Sequence, residues 1–416
     1  MIQTGHTERL ESMQHEQTAK RKLRVAVLNT HPIQYFAPMY AYMTTHMPDI
    51  ELTVLYCSDF SLRGAVDEGF AKPVTWDIDL LSGYRYLYLG EAATRRTPGG
   101  FWSMIVPELW RHIRSGGYDA LWLHGYGYAA CWVAMLAAKS IGLPVMLRGE
   151  THLALSRPSW RRFIRDTVLR RLFRSLDGLL AIGTRNREYY QAAGVPNDKI
   201  HMVPYAVDNE RFEAAVSAVA TRRQEYRSTM GFPEGVPVVL YASKLIERKH
   251  PHTLMYAIAK LQATGRRVAL YVVGSGPMEP RLRALQVELN LDDTHFAGFL
   301  NQSELPMAYA AADIFVLASE SEPWGLVVNE VMCAGLPVIT SPEMGCSEDL
   351  VVDGANGFQL PPGNVDQLAA AIDAMIDNPD RMRAMGRRSL EIIRQWGYEQ
   401  CTHGLRQALA GLPASR

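Results

Sequence analysis

The nine residues Glu322-Pro323-Trp324-Gly325-Leu326-Val327-Val328-Asn329-Glu330 lie between two signals that leave the backbone little choice. Before them, Ile314-Phe315-Val316-Leu317 has the bulk and length of a buried parallel strand. After them, Gly335-Leu336-Pro337 stops a helix, and Pro337-Val338-Ile339-Thr340 reads as the next strand. The pattern predicts a βαβ unit. Gly325 and Leu326 open its helix, so their amides lack intrahelical partners and can face an anion such as a phosphate. Glu322 and Glu330 flank that anion site, and eight helical steps between them rise about 12 Å at ~1.5 Å each. A sugar nucleotide fits the span, with one carboxylate on sugar hydroxyls and the other on the vicinal ribose hydroxyls. An isolated glutamate pair would more often be the solvated face of a helix; the strand, the glycine and the Gly-Leu-Pro stop favour the site.

Elsewhere short apolar strands alternate with helical patterns, which predicts parallel sheets. Strands are expected at Leu23–Leu28, Glu51–Tyr56, Ala120–Leu123, Pro144–Leu147, Asp177–Ile182, Ile200–Pro204, Val238–Ala242, Val268–Val273 and Phe296–Leu300, and a helix over Phe101–Arg114. In open α/β sheets ligands meet the C-terminal strand ends. His31 and Gln34 follow the first strand and are placed to meet one, although His31-Pro32 could equally shape a turn. His124 ends the strand Leu121–Leu123. Arg148 and Glu150 end another, where Glu150 would orient an acceptor hydroxyl or pair with Arg148. Gly274-Ser275-Gly276-Pro277 admits a nucleotide or simply turns the chain; it lacks the third glycine of a dinucleotide fingerprint.

At Glu322 to Pro337 the sequence resembles the retaining glycosyltransferases of family four, whose signature is two glutamates separated by seven residues. The run His31-Pro32-Ile33-Gln34-Tyr35-Phe36 looks like the motif of one subgroup. The resemblance implies the α/β GT-B architecture, two Rossmann-like parallel-sheet domains facing a central cleft. The expected division is a disordered tail over 1–22, an acceptor-side domain over 23–208, a linker over 209–235, a nucleotide-sugar domain over 236–395, and a terminal helix over 396–416 crossing back to the first domain. It also implies a catalytic set of His124, Lys244, Lys249 and Glu322. His124 would lie beside the donor sugar and the two lysines on the diphosphate, with Lys244 standing where the family usually has an arginine. The implied donor-binding set is Gly274, Gly276, Phe299, Ser319, Gly325, Leu326, Val327 and Glu330, with Phe299 where the base is seated. His31, Gln34, Arg148 and Glu150 form the acceptor side. Cys346 takes the second place of a usual glycine pair, where its side chain could narrow the approach to the phosphates.

The remaining composition trims the alternatives. Forty-three basic and 43 acidic residues balance, against the basic excess of a nucleic-acid protein. Five scattered cysteines without a CxxC pair point to a reducing compartment and no structural zinc. No His/Cys set with ligand spacing appears, and two lysines would stabilise the departing diphosphate without a metal. No cofactor is expected beyond a nucleoside diphosphate sugar as co-substrate. The longest apolar run, Ala129 to Ala138, is about half of the ~20 residues a membrane span needs, so a cytoplasmic protein is expected. Seven arginines and one acid over Arg157–Arg174, interleaved with Trp160, Phe163 and Ile164, read either as peripheral contact with the inner membrane face or as a surface helix. The expected reaction is retaining hexosyl transfer to a glycan or lipid-linked acceptor in polysaccharide or glycolipid synthesis. A sugar-nucleotide epimerase and a non-catalytic sugar-nucleotide-binding module on the same fold are the alternatives.

Overall fold

A computed structural model describes residues 21–413 except 65, 68, 71, 91–95 and 154–158. The tail expected over 1–22 falls almost wholly outside the described residues, as do Arg157 and the side chains of Trp160, Arg161, Arg162, Phe163, Ile164 and Arg165.

The first sheet is built from β1 (Leu23–Asn29), β2 (Ile50–Tyr56), β5 (Arg85–Tyr88), β6 (Ala120–His124), β7 (Val145–Arg148), β8 (Gly178–Ala181) and β9 (Ile200–Met202). All pairings are parallel, in the order β5-β2-β1-β6-β7-β8-β9. The second contains β10 (Val238–Ala242), β11 (Ala269–Val273), β12 (Thr294–Gly298), β13 (Ile314–Leu317), β14 (Val338–Thr340) and β15 (Gly357–Gln359), in the order β12-β11-β10-β13-β14-β15, also parallel. A small antiparallel pair, β3 (Val66–Asp67) and β4 (Lys72–Pro73), lies in the long connection between β2 and β5.

Burial explains why these strands are apolar on both faces. Along β1, Val25 and Val27 join one core while Ala26 and Leu28 join the other, and along β6 Trp122 is opposed to Leu121 and Leu123 in the same way. Side chains alternate across a strand, so a sheet covered by helices on both sides needs continuous hydrophobicity. In each sheet the order reverses beside one central strand: β1 pairs with β2 and β6, and β10 pairs with β11 and β13. Such reversal points leave a crevice at the C-terminal strand ends. The two crevices face each other.

One segment differs from expectation. Helix over Phe101–Arg114 is confined to Leu109–Ser115, preceded by turns. Pro107 biases Val106 away from the helical region and removes a donor, which separates the two halves. The segment expected as the linker, 209–235, carries the helices Asn209–Val219 and Arg223–Thr229. Its charges have work in the second domain: Arg223 and Arg227 each reach Asp313 at 2.5 Å, and Asp313 also accepts from the Val238 amide at 2.8 Å. Phe212 is buried in the same core.

The helix Tyr398–Ala410 packs on β9 and on the helix Ala37–His46 of the first domain. Gly404 allows this approach, since a Cβ there would lie 1.8 Å from the Met202 carbonyl oxygen. Cys401 donates to the Pro204 carbonyl at 3.1 Å, and Arg406 pairs with Asp49 at 2.7 Å. All five cysteines are free and buried. Among the described residues no helix is long and apolar enough to cross a membrane, and no three His, Cys, Asp or Glu side chains are grouped to hold a metal ion.

Candidate active site

The facing strand ends enclose a cavity of about 510 Å³, within the range of small-molecule sites. Its second-domain wall begins with the loop from β13 to the helix Leu326–Cys333. Gly325 takes φ 101°, a left-handed turn that an L-residue resists, and a Cβ there would come within 2.6 Å of the Met344 methyl carbon. The neighbouring loop clamps this turn from behind. The Gly345 amide donates to the Glu322 carbonyl at 3.0 Å, the Cys346 amide to the Trp324 carbonyl at 3.2 Å, and a Cβ on Gly345 would lie 1.9 Å from the Pro323 oxygen. Gly325, Leu326 and Val327 consequently line the cavity with the first turn of the helix, where free amides and the helix dipole favour an anion. Cys346 is fully buried behind the loop and absent from the lining; the expectation that it narrows the approach is corrected to a packing contact.

Glu322 sits at the mouth of this turn. Its carboxylate lies 2.6 Å from Lys249 Nζ and 3.7 Å from Arg248, and its carbonyl contacts His152 Nε2 at 3.0 Å. Burial lowers the Lys249 pKa, opposed by the charge of Glu322. Lys244, expected beside the same diphosphate site, lines the cavity further along and lies over the Phe70 ring at 4.7 Å. Arg248, rather than Lys244, is therefore the second cation at Glu322.

Glu330 lies at the inner end, fully buried. It accepts from the Tyr309 hydroxyl at 2.5 Å and from Gln302 Nε2 at 3.5 Å, and the Tyr35 hydroxyl of the first domain also bonds to it. Burial raises its carboxyl above the ordinary 4.5, against those hydrogen bonds. Phe299 lines the same cavity, beside Phe70 and Trp76.

The first-domain wall carries His31, Gln34 and Glu150. His31 contacts Thr30 Oγ1 at 3.0 Å and meets Phe60 edge-on; burial lowers its pKa from 6.5 to about 4, so it is neutral at pH 7. Glu150 accepts a short hydrogen bond from Tyr205, not an ion pair from Arg148; burial raises its pKa, opposed by the Tyr205 bond.

Four expected site residues do not reach the cavity surface. His124 packs against Phe36, with ring centroids 4.6 Å apart. Its Nε2 meets the Tyr40 hydroxyl at 2.9 Å, and burial beside Arg148 holds its pKa well below 6.5. Arg148 is buried under the same wall, donating to the Pro204 carbonyl at 2.8 Å and lying over Tyr205 at 4.8 Å. Ser319 is fully buried and donates to the Arg248 carbonyl at 3.1 Å, supporting the loop that carries the cations. Gly276 serves a close backbone approach, since a Cβ there would meet the Leu245 oxygen at 2.6 Å. Gly274 does both, lining the cavity while its missing Cβ would lie 2.0 Å from the Ser243 oxygen.

Sequence reasoning assigned no role to Tyr35, Phe70, Trp76, Tyr205 or Tyr309, all of which line the cavity. Tyr35 lay inside the quoted His31–Phe36 run and Tyr205 inside the exit from the first domain. Tyr309 precedes Glu330 by 21 positions on another helix, and nothing local in the sequence joins them.

Two family models match the chain: "Glycosyl transferases group 1" over residues 222–391 and "Glycosyl transferase 4-like domain" over residues 79–206. A GDP-mannose-dependent alpha-(1-6)-phosphatidylinositol monomannoside mannosyltransferase of Mycobacterium tuberculosis is 30% identical over 259 residues, 60% of this chain and 66% of that protein, just under two thirds of its length. A GDP-mannose-dependent alpha-mannosyltransferase of the same species is 30% identical over 285 residues, 66% of this chain and 67% of that protein. Among solved structures, sucrose-phosphate synthase from Thermosynechococcus elongatus superposes with a TM-score of 0.70 at 20% identity, covering 93% of this chain and 98% of its own. Anabaena HepE in complex with UDP and glucose gives 0.69 at 17%, covering 94% and 100%. With one match in each domain and a full-length likeness of fold, the chain belongs to the group 1 glycosyl transferases, built on the GT-B architecture.

Proposed function

We propose that this protein transfers a hexosyl group from a nucleoside diphosphate sugar to an acceptor hydroxyl, retaining anomeric configuration and using no metal. The observation that carries the reading is the Lys249–Glu322 pair at 2.6 Å beside the Gly325 turn. A cation, a carboxylate and free helix amides then converge where a sugar joined to a diphosphate would need them.

In this reading the diphosphate lies on the amides of Gly325, Leu326 and Val327, with Lys249 and Arg248 beside it. The bond from the anomeric carbon to the phosphate oxygen breaks, and the leaving diphosphate gains charge that fixed cations stabilise. Glu322, released from Lys249 as the phosphate takes that partner, holds hexose hydroxyls. Glu330 exchanges the Tyr309 and Tyr35 hydroxyls for those of the ribose. No carboxylate nucleophile is assigned on the first-domain side, so the acceptor oxygen attacks the face the phosphate leaves, and a phosphate oxygen takes its proton. Glu150, polarised through Tyr205, orients that acceptor. His124 acts beside Phe36 as a positioning group.

A glycan or lipid-linked acceptor is favoured because the mycobacterial relative's name specifies a phosphatidylinositol monomannoside, and that of a relative in Rhizobium meliloti the lipopolysaccharide core. The test is a donor screen by thermal stabilisation, followed by incubation with acceptors and mass spectrometry of the products. A hexose-sized mass gain on the acceptor, undiminished by a chelator, is expected. Turnover of donor alone into an epimer, or loss of turnover with the chelator, would overturn it.

A further inference from the structure

The connection between β2 and β5 leaves the first domain and fastens onto the second. Three polar clasps hold it. Ser275 Oγ donates to the Phe70 carbonyl at 2.9 Å, Asn301 Nδ2 to the Thr75 carbonyl at 2.7 Å, and the Ser303 amide to the Asp77 carboxylate at 3.1 Å. The clasps bracket Phe299 on both sides in sequence. Between them Phe70 meets Phe299 edge-on at 4.9 Å, Trp76 lies 6.1 Å from it, and Lys72 Nζ stands 4.3 Å over its ring. Phe70 also carries Lys244 on its other side at 4.7 Å. The strap thus touches the wall at Phe299 and a cation of the second domain at once.

Phe70, Val74 and Trp76 line the same cavity as Phe299, Leu300 and Glu330, and both strap rings are partly exposed there. Glu330 with its hydroxyl and amide neighbours is suited to a ribose, and Gln302, which bonds to it, adjoins Asn301, which holds the strap at Thr75; a base joined to that ribose would reach the strap. At this wall the second domain offers the ring Phe299, and the aromatic side chains that touch Phe299 come from the strap. Flat aromatic faces beside backbone polar groups are the chemistry that takes up a nucleobase.

We infer that the strap is the outer wall of the nucleobase pocket: Phe70 and Trp76, supplied by the acceptor-side domain, contact the base of the bound nucleotide and help select it. This rests on the reading that the cavity takes a nucleoside diphosphate. Base choice is then shared between the domains, and docking of the strap completes the donor site.

The test is calorimetric titration of the full chain with UDP, GDP, ADP and inorganic pyrophosphate, for the parent protein and for Phe70→Ala, Trp76→Ala and Trp76→Phe. Both alanine variants should lose about tenfold or more in affinity for the preferred nucleotide, the scale of a lost stacking face. Preference among bases should flatten, pyrophosphate binding should change by less than about threefold, and Trp76→Phe should recover most of the loss, as expected when only a flat face is needed. Phe70→Leu, which keeps bulk and removes the flat face, replaces Phe70→Ala if that variant melts early. Parent protein that binds nucleotides, with variants of unchanged affinity and base preference, sinks the strap inference and leaves the transferase reading standing. Parent protein that binds none of the three nucleotides overturns both.

Discussion

The two walls of the cleft are built from different chemistry. The second-domain wall is ionic and compact: Lys249 and Arg248 lie 2.6 Å and 3.7 Å from the Glu322 carboxylate, around a turn two glycines make possible. The first-domain wall is aromatic and its polar groups are largely uncharged or hydrogen-bonded in place, with His31 neutral, Glu150 held by Tyr205, and Tyr35 and Phe60 filling the rest. Fixed charges suit the diphosphate, which does not vary among sugar nucleotides. Aromatic surface and single hydroxyls suit groups that differ from one substrate to another. On the proposed reading, one wall takes the diphosphate and the other supplies more of the contacts that differ between substrates.

The largest expected effect lies on the ionic wall. Lys249→Ala should lower kcat/KM by about 10- to 100-fold, the worth of a charge-assisted hydrogen bond, and normal turnover would break the contrast. Next, Glu330→Gln should raise the donor KM by about tenfold and leave the acceptor KM unchanged. Glu150→Gln should do the reverse with a smaller effect, about fivefold on acceptor KM; a change in donor KM instead would place Glu150 with the wrong substrate.

The smallest effects are in pH dependence, and they carry opposite signs on the two walls. Burial keeps His31 neutral down to about 4 when folded, against 6.5 when unfolded. The unfolded chain therefore binds more protons in that window, and stability falls as pH drops from 6.5 to about 4. His31→Gln should flatten that limb in urea melts. Glu330 is raised above 4.5 by burial, so the folded chain binds more protons there. Its contribution is present below 4.5 and is lost as pH rises through the folded value. Glu330→Gln should remove that opposing limb, and identical profiles for the two variants would remove the distinction.

The ionic wall was the legible one. Its residues come in short runs, 244–249 and 322–330, where a strand end, a helix start and a glycine agree, and most of them reach the cavity. Legibility failed where position in the chain stopped predicting direction. His124 ends a strand at the cleft, yet its ring packs among Phe36, Tyr40 and Trp122 instead of lining the cavity. Arg148 likewise turns under Tyr205. Local pattern fixes which end of a sheet a residue occupies; only packing decides which ring covers which. The strap was unreadable for the same reason, since Phe70 and Phe299 are brought together by two domains. The contacts of the segment 209–235 were likewise not legible, since Arg223 and Arg227 converge on Asp313, about 90 positions away in sequence.

The helix Tyr398–Ala410 gives the molecule a second thread between its halves. The chain leaves the first domain before Asn209 and returns at 394–397, and Asn209 Nδ2 joins the two passages by donating to the Ile393 carbonyl at 2.9 Å. A single thread would let one half spin as well as tilt. Two threads pinned side by side restrict sliding and twisting of the halves more than one thread would. On the proposed reading, that restriction keeps Glu322 and Glu150 in one registration across the cleft, so that a sugar held by one half would face an oxygen held by the other.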